Sequence, residues 1–163
     1  MFVQHPIPPV WDSHSRILIL GSFPSVKSRE QQFFYGHPQN RFWRVLAAIY
    51  EAPCPQTIEE KRAFLLHHGI AVWDVVASCE IEGSADSSMK HVSVNDLTPI
   101  LKGANIQRIY VNGKTAEKFY TRYTQPIIGY PACVLPSTSP ANAAWTLARL
   151  IETWRTLICT KPS

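Results

Sequence analysis

Short apolar runs alternate with helical patterns along this chain. Residues 16–20, 70–76, 109–111 and 132–135 have the length and composition of buried strands. Apolar residues recur at helical spacing over residues 40–50, 62–68, 94–101, 115–123 and 142–157. This alternation predicts an α/β fold, a three-layer α/β/α arrangement around a mostly parallel, roughly four-stranded central sheet. We expect one domain over residues 1–163, with a short extended segment at residues 1–14.

Each predicted strand ends in a polar or glycine-containing loop. These loops fall at residues 21–25, at Asp74, at Asn112-Gly113 and at residues 137–142. The carboxyl ends of parallel strands meet at one edge of a sheet, and open α/β sheets bind their ligands there. The pattern therefore predicts a single functional site at that edge.

A polar-aromatic cluster follows the first of these loops. It reads Tyr35-Gly36-His37-Pro38-Gln39-Asn40-Arg41-Phe42-Trp43, which is typical of a site that holds a planar ligand by stacking and hydrogen bonds. Asn40 is the leading candidate for chemistry, because a carboxamide can donate to a carbonyl oxygen and can also hold water. The structural alternative is that Asn40 caps the helix that begins near Phe42.

The last loop combines groups suited to a nucleic-acid backbone. Serines with adjacent backbone N–H groups at a helix N-terminus bind phosphate readily. Pro140 and Ala141 are compact and apolar, and such residues can enter a base stack. Alternatively, Ser139 or Asn142 caps the final helix, and both functions can coexist.

Several other types of site are excluded or disfavoured. The stretch Asn112-Gly113-Lys114-Thr115 resembles the end of a phosphate-binding P-loop, but the position that needs a glycine is Arg108. The chain has no Gly-x-Ser-x-Gly elbow. Its four cysteines are widely separated, which argues against a zinc or iron–sulfur site. We expect neither a metal nor a cofactor.

Charge and the chain ends add weaker information. Lys and Arg number 16 against 12 Asp and Glu, a formal charge of +4, which is compatible with a nucleic-acid partner. No signal peptide or membrane-spanning run is recognisable. We therefore expect a soluble cytoplasmic protein that reaches the nucleoid through DNA and does not bind membranes.

Three ordered blocks resemble the uracil-DNA glycosylase superfamily. They are Leu20-Gly21-Ser22-Phe23-Pro24 with Asn40-Arg41-Phe42-Trp43; residues 69–76, which read GIAVWDVV; and residues 135–142, which read LPSTSPAN. Asn112-Gly113-Lys114 is a weaker fourth match. Many members carry a catalytic Asp or Asn where this chain has Phe23, and some carry His or Asn where it has Ser137. These departures are similar to the hypoxanthine-DNA (deoxyinosine) glycosylase branch.

The resemblance implies roles for particular residues in a DNA repair enzyme. Asn40 would be catalytic, and Tyr35 would stack on a base flipped out of the duplex. The rest of the base pocket would comprise Ser22, Phe23, Asp74 and Asn112. The DNA-contacting loop would comprise Ser137, Thr138, Ser139, Pro140, Ala141 and Asn142. The partner would be DNA that contains a damaged base, and we expect the protein to be a monomer.

Three alternatives remain open from the sequence. One is a uracil or mismatch-specific glycosylase, with hypoxanthine as a side activity. Another is a damaged-DNA binding module without catalysis, which Phe23 and Ser137 would fit. The third is a hydrolase of free nucleosides or nucleotides, whose binding would not weaken steeply with salt as DNA binding does.

Overall fold

The computed structural model describes residues 2–80 and 89–159. Within these residues the strands are β1 (Phe2–Gln4), β2 (Ile17–Gly21), β3 (Ile70–Asp74), β4 (Val76–Glu80), β5 (Lys90–Val94), β6 (Arg108–Asn112) and β7 (Ala132–Leu135). The α-helices are α1 (Val26–Gln31), α2 (Phe42–Ile49), α3 (Ile58–His67), α4 (Thr98–Gly103), α5 (Lys114–Phe119), α6 (Gln125–Ile128) and α7 (Leu147–Cys159). None of these described helices is both long and apolar enough to cross a membrane.

A four-stranded parallel sheet forms the centre of the fold. Its strand order is β3-β2-β6-β7, and every neighbouring pair is parallel. The register pairs Gly21 with Asp74, and Asn112 with Leu135. The predicted sheet is therefore confirmed, and its strand ends lie side by side.

Helices cover both faces of this sheet. On β2, Ile19 belongs to one apolar cluster, whereas Leu18 and Leu20 belong to another, because successive side chains of a strand point to opposite faces. The first cluster includes Leu46 of α2, Leu65 of α3 and Trp154 of α7. The second includes Ile100 of α4, and Ala116 and Phe119 of α5. The three-layer α/β/α prediction is confirmed.

A second, antiparallel sheet was not expected from the sequence. Its order is β1-β4-β5, and β1 pairs with β4 from Phe2↔Glu80 to Gln4↔Ser78. The strand predicted at residues 70–76 is two strands that belong to different sheets. The chain leaves the central sheet at Val75, whose N–H donates to the Gly21 carbonyl oxygen at 2.8 Å.

Three predicted helices have different limits. The helix expected at 94–101 begins at Thr98, because Val94 ends β5 and the Asp96 carboxylate accepts the Thr98 N–H at 2.9 Å. The helix expected at 115–123 is α-helical only to Phe119, and Tyr120–Thr124 forms a π-helical turn. The helix expected at 142–157 starts at Leu147, since residues 142–146 belong to the loop before it.

Candidate functional site

The strand ends and their loops surround one cavity of about 850 Å³. Gly21, Asp74 and Asn112 are the last residues of β2, β3 and β6, and each lines the cavity. The residues predicted for the site also line it: Ser22, Phe23, Tyr35, Asn40, Asp74, Asn112, Ser137, Thr138, Ser139, Pro140, Ala141 and Asn142. The structure thus brings the whole predicted set together, although their individual roles remain predictions.

Asp74 is a buried carboxylate, with 4% of its surface exposed. Its Oδ2 is 2.8 Å from Nε2 of His5, a residue of the N-terminal segment. Its Oδ1 lies against Gly21, where a Cβ would clash with that oxygen. Glycine at the end of β2 therefore makes room for the carboxylate at the cavity floor.

Tyr35 combines a stacked ring with a buried hydroxyl. The ring stacks on Phe42 with a centroid distance of 3.9 Å and an interplanar angle of 14°. Its hydroxyl oxygen is buried and has no hydrogen-bond partner among the described residues. Burial raises the pKa of this hydroxyl, and the Asp74 charge raises it further, while the nearby Asn112 side chain opposes both effects. Tyr35 therefore stays protonated and offers an uncommitted O–H group.

Asn40 lies immediately before α2 with a fixed amide orientation. Its Oδ1 accepts the N–H of Phe42, the first residue of α2, at 2.9 Å. The N-cap residue of α2 is Arg41, so Asn40 is not the cap itself but bonds to the first helical N–H from the position before it. Because the oxygen is committed to this bond, the amide nitrogen Nδ2 remains to donate into the cavity, and this structural role and the chemical interpretation of Asn40 are compatible.

Ser22 and Phe23 form the first loop after β2. The Ser22 carbonyl oxygen accepts the Val76 N–H at 3.0 Å, which ties this loop to the start of β4. The Phe23 ring meets the His5 ring edge-on at 6.0 Å, and the Arg29 guanidinium lies 5.7 Å from the Phe23 ring centroid. Phe23 is thus an apolar wall of the cavity and brings no group that could activate water.

The loop at residues 137–142 is ordered by its own polar groups. The Ser137 hydroxyl accepts the Ser139 N–H at 3.1 Å, and the Ser139 hydroxyl accepts the Ala141 N–H at 3.1 Å. The Asn142 amide donates to the Ser137 carbonyl oxygen at 3.0 Å. Pro140 and Ala141 are exposed at the tip. The loop therefore presents a small apolar tip on a hydrogen-bonded frame.

Asn112 attaches this loop to the central sheet. Its Nδ2 donates to the Thr138 hydroxyl at 3.1 Å, and its Oδ1 accepts the Thr138 N–H at 3.2 Å. Thr138 is fully buried. Gly113 follows Asn112 with φ +98°, and a Cβ there would approach the Ser137 Cβ to 3.1 Å. The Asn112 side chain is thus largely committed to holding the loop, and it also interacts with the Tyr35 hydroxyl.

Arg41 also holds the loop, a role that the sequence did not indicate. Its guanidinium donates to the carbonyl oxygens of four loop residues: Thr138, Ser139, Asn142 and Trp145. The Arg41 N–H donates to the Thr138 carbonyl oxygen as well, at 3.0 Å. Arginine at the start of α2 therefore connects the two halves of the site. The adjacency of Asn40 and Arg41 was the signal, but nothing local in the sequence identified the acceptors.

The cavity lining suits an organic ligand better than a metal ion. Within residues 2–80 and 89–159, no group of three or more His, Cys, Asp or Glu side chains is placed to bind a metal ion. Among the described residues that line the cavity, Asp74 is the carboxylate, while Arg29 and Lys114 are cationic. Aromatic rings, amides and hydroxyls supply most of the remaining chemistry. The arrangement fits a planar polar ring attached to a phosphate-bearing chain.

Two proteins of known sequence are similar to most of this chain. A Methanosarcina acetivorans protein named hypoxanthine DNA glycosylase is 35% identical over 155 residues, which is 92% of this chain and 95% of that protein. A Methanosarcina barkeri protein of the same name is 35% identical over 141 residues, or 83% of this chain and 85% of that protein.

A solved structure and a family profile agree with these relatives. The solution NMR structure of a Methanosarcina acetivorans protein, provisionally described as a uracil DNA glycosylase, superposes with a TM-score of 0.80. It is 34% identical, and the match covers 96% of both chains. The profile described as the uracil DNA glycosylase superfamily matches residues 8–158. The resemblance predicted from the sequence is confirmed, and this chain belongs to the uracil DNA glycosylase superfamily.

Proposed function

We propose that this chain is a monofunctional DNA glycosylase that hydrolyses the N-glycosidic bond of a deaminated base, with hypoxanthine as the preferred base. The observation that carries the proposal is one cavity that joins Asn40, Tyr35 and Asp74 to the loop at residues 137–142. The two relatives named hypoxanthine DNA glycosylase support hypoxanthine as the base. We also propose that the protein is a single-domain monomer and that it does not bind membranes.

The reaction begins when the damaged nucleotide leaves the duplex. Flipping a base out of the stack costs a few kcal/mol, and least where the base is already mismatched. The hydroxyls and N–H groups of the 137–142 loop would contact phosphates, and the exposed tip at Pro140 and Ala141 would fill the vacated space. One face of the Tyr35 ring is covered by Phe42, so the other face is available to the flipped base.

Bond cleavage then depends on the leaving base. The base departs as an anion and leaves an oxocarbenium-like sugar, so hydrogen-bond donors aimed at the base lower the barrier. Nδ2 of Asn40 is the leading donor, because its amide orientation is fixed by Phe42. Phe23 cannot act as a general base. We therefore expect catalysis to come mainly from stabilisation of the leaving group, with a water molecule attacking the sugar carbon.

The proposal is tested by alkaline cleavage of labelled duplexes that contain one deoxyinosine, one deoxyuridine or no damage. Wild type, Asn40→Ala and Asn105→Ala are compared. Asn105 is an exposed asparagine that precedes β6, at the opposite edge of the sheet. We expect cleavage at deoxyinosine by wild type and Asn105→Ala, and loss of at least about 100-fold in rate for Asn40→Ala with DNA binding retained.

The other outcomes of this assay separate the alternatives. Faster cleavage at deoxyuridine than at deoxyinosine would make the protein a uracil glycosylase. If the protein binds the duplexes but cleaves none of them, it is a damage-recognition module rather than an enzyme. Equal cleavage by Asn40→Ala and Asn105→Ala would remove Asn40 from the chemistry.

A further inference from the structure

The N-terminal segment carries a histidine to the cavity floor. After β1, the His5 N–H donates to the Ala77 carbonyl oxygen at 2.6 Å. The Trp73 indole N–H donates to the Ile7 carbonyl oxygen at 3.0 Å, and Ile7 is 2% exposed. Val10 then bridges Val72 on the free edge of the central sheet. The segment is therefore fixed on both sides of His5.

The environment of His5 determines which ring nitrogen carries its proton. Nδ1 lies 3.1 Å from the Ile7 backbone nitrogen and accepts its N–H, so Nδ1 must be unprotonated. The proton is therefore on Nε2, which donates to Asp74 Oδ2 at 2.8 Å. The side chains of His5 and Asp74 are 2% and 5% exposed. Aromatic rings from Phe23, Phe34 and Trp73 surround the imidazole at centroid distances of 6.0, 6.2 and 6.4 Å.

This hydrogen bond gives the two carboxylate oxygens of Asp74 different partners. Oδ2 is occupied by a neutral imidazole whose orientation the fold fixes. Oδ1 lies beside Gly21 and has no hydrogen-bond partner among the described residues. Because Asp74 lines the cavity, Oδ1 is the oxygen that a bound base can reach. His5 thereby presents Asp74 to the ligand as a hydrogen-bond acceptor.

We propose that His5 is a positioning residue that aims Asp74 Oδ1 at a ring N–H of the flipped base, so that the site selects bases in which an N–H stands next to a carbonyl. This inference rests on the proposed glycosylase function. Deamination of adenine replaces an unprotonated ring nitrogen by the N1–H of hypoxanthine, beside its new carbonyl. A carboxylate accepts from that N–H but repels the lone pair of adenine N1. His5 thus helps to distinguish hypoxanthine from the adenine that it replaces.

The test is a set of single-turnover rates on the damaged duplex that wild type cleaves. His5→Phe removes the donor to Asp74, whereas His5→Gln keeps an N–H group close to the position of Nε2. His14→Phe makes the same substitution at an exposed histidine of the N-terminal region, whose side chain is 83% exposed. Asp74→Ala and the double variant His5→Phe/Asp74→Ala complete a double-mutant cycle.

We expect His5→Phe to slow base release by at least about tenfold, since Asp74 loses the hydrogen bond that orients it. His5→Gln should stay within about threefold of wild type, and the duplex Kd should change by less than about twofold in both variants, because the DNA-contacting loop is untouched. In the Asp74→Ala background, His5→Phe should cause no further loss. A purely structural role would slow both backgrounds by the same factor.

Two results would overturn the inference. One is a rate for His5→Phe equal to that of His14→Phe, and the other is an equal effect of His5→Phe with and without Asp74. If His5→Phe does not unfold cooperatively and so is not properly folded, His5→Asn is used in its place, because its shorter amide cannot reach Asp74. Equal rates of base release for His5→Asn and His5→Gln would then refute the positioning role of His5. Failure of the glycosylase proposal is separate, since it would appear as no base release by wild type.

Discussion

Replacing Arg41 tests whether the loop at residues 137–145 owes its order to one side chain. The guanidinium donates to four loop carbonyl oxygens, at 3.5 Å to Thr138, 2.9 Å to Ser139 and 3.2 Å to Asn142, with the fourth bond to Trp145. Arg41→Ala removes all four, while the backbone bond to Thr138 remains. Arg41→Lys keeps the charge but cannot reproduce the planar fork that reaches several acceptors.

The magnitude follows from these bonds. A hydrogen bond that involves a charged group contributes about 1.5–3 kcal/mol. The four share one half-buried group and are not additive, so we expect Arg41→Ala to destabilise the ordered loop by about 2–4 kcal/mol. If bound DNA must reorder the loop, about 2 kcal/mol of this loss corresponds to about thirtyfold in Kd.

The assay measures duplex binding and base release side by side. Fluorescence anisotropy gives Kd for a deoxyinosine duplex, and single-turnover cleavage at saturating enzyme gives the chemical rate. Hydrogen exchange of the Ser139 and Ala141 amides reports loop order directly. Arg122→Ala is the matched control, because Arg122 is exposed and lies over the Tyr123 ring, and its loss changes the net charge equally.

We expect Arg41→Ala to raise Kd by about thirtyfold over Arg122→Ala and to accelerate exchange of both loop amides. Arg41→Lys should resemble Arg41→Ala more than wild type. Amide exchange unchanged from wild type, together with a Kd within about threefold of Arg122→Ala, would refute the reasoning. If Arg41→Ala weakens DNA binding and reduces its dependence on salt but leaves loop exchange unchanged, Arg41 contacts a phosphate instead.

Three smaller predictions concern residues at and behind the cavity. Gly21→Ala should slow base release by at least about tenfold, measured in single turnovers, because its Cβ would displace Asp74 Oδ1. Tyr35→Phe should raise the free energy of unfolding in urea by about 1 kcal/mol, since it removes a buried hydroxyl without a partner in the described chain; a decrease would contradict this. Burial raises the pKa of Tyr120 from 10.0 to about 12. The unfolded chain therefore ionises first, so the stability of wild type should fall between these two pH values. Tyr120→Phe should lose less over that interval, and parallel curves would contradict the assignment.

The central sheet could be predicted because its information is local. Leu18, Ile19 and Leu20 are all fully buried, so β2 appears in the sequence as a continuous apolar run. In a parallel sheet such runs place their carboxyl ends at one edge, and this rule alone predicted that Asp74 and Asn112 lie at the site. Knowledge of the order of the strands was not needed.

The second sheet could not be predicted in this way. β5 reads Lys90-His91-Val92-Ser93-Val94 and is at most half-buried, so it lacks the apolar signature of a core strand. β1 has three residues, and its partner β4 is more than seventy residues away in the chain. Short edge strands depend on such distant pairing, and their own residues carry little evidence of it.

The start of α7 differs from the helix predicted by apolar periodicity. Ala143, Ala144 and Trp145 continue the apolar periodicity of the helix, and the prediction accordingly began at residue 142. The structure starts α7 at Leu147, where the Thr146 hydroxyl accepts the Arg149 N–H at 3.2 Å, as the side chain of a capping residue does. The residues before that boundary belong to the loop instead, and the Arg41 guanidinium, about a hundred residues away in the chain, donates to two of their carbonyl oxygens.

His5, which contacts Asp74, comes from outside the strand ends, and this explains why the sequence did not indicate it. Base selection and base departure make opposite demands on Asp74 in the proposed reaction, since its charge accepts an N–H but opposes a leaving anion. In that proposal the His5 N–H, which donates to Asp74, and the Asn40 amide, which lines the same cavity, would offset that opposition. Neither depends on a sequence motif centred on Asp74. In the proposed reaction a carboxylate that contacts the base therefore needs supporting donors, and the candidates are His5 of the N-terminal segment and Asn40, just before α2.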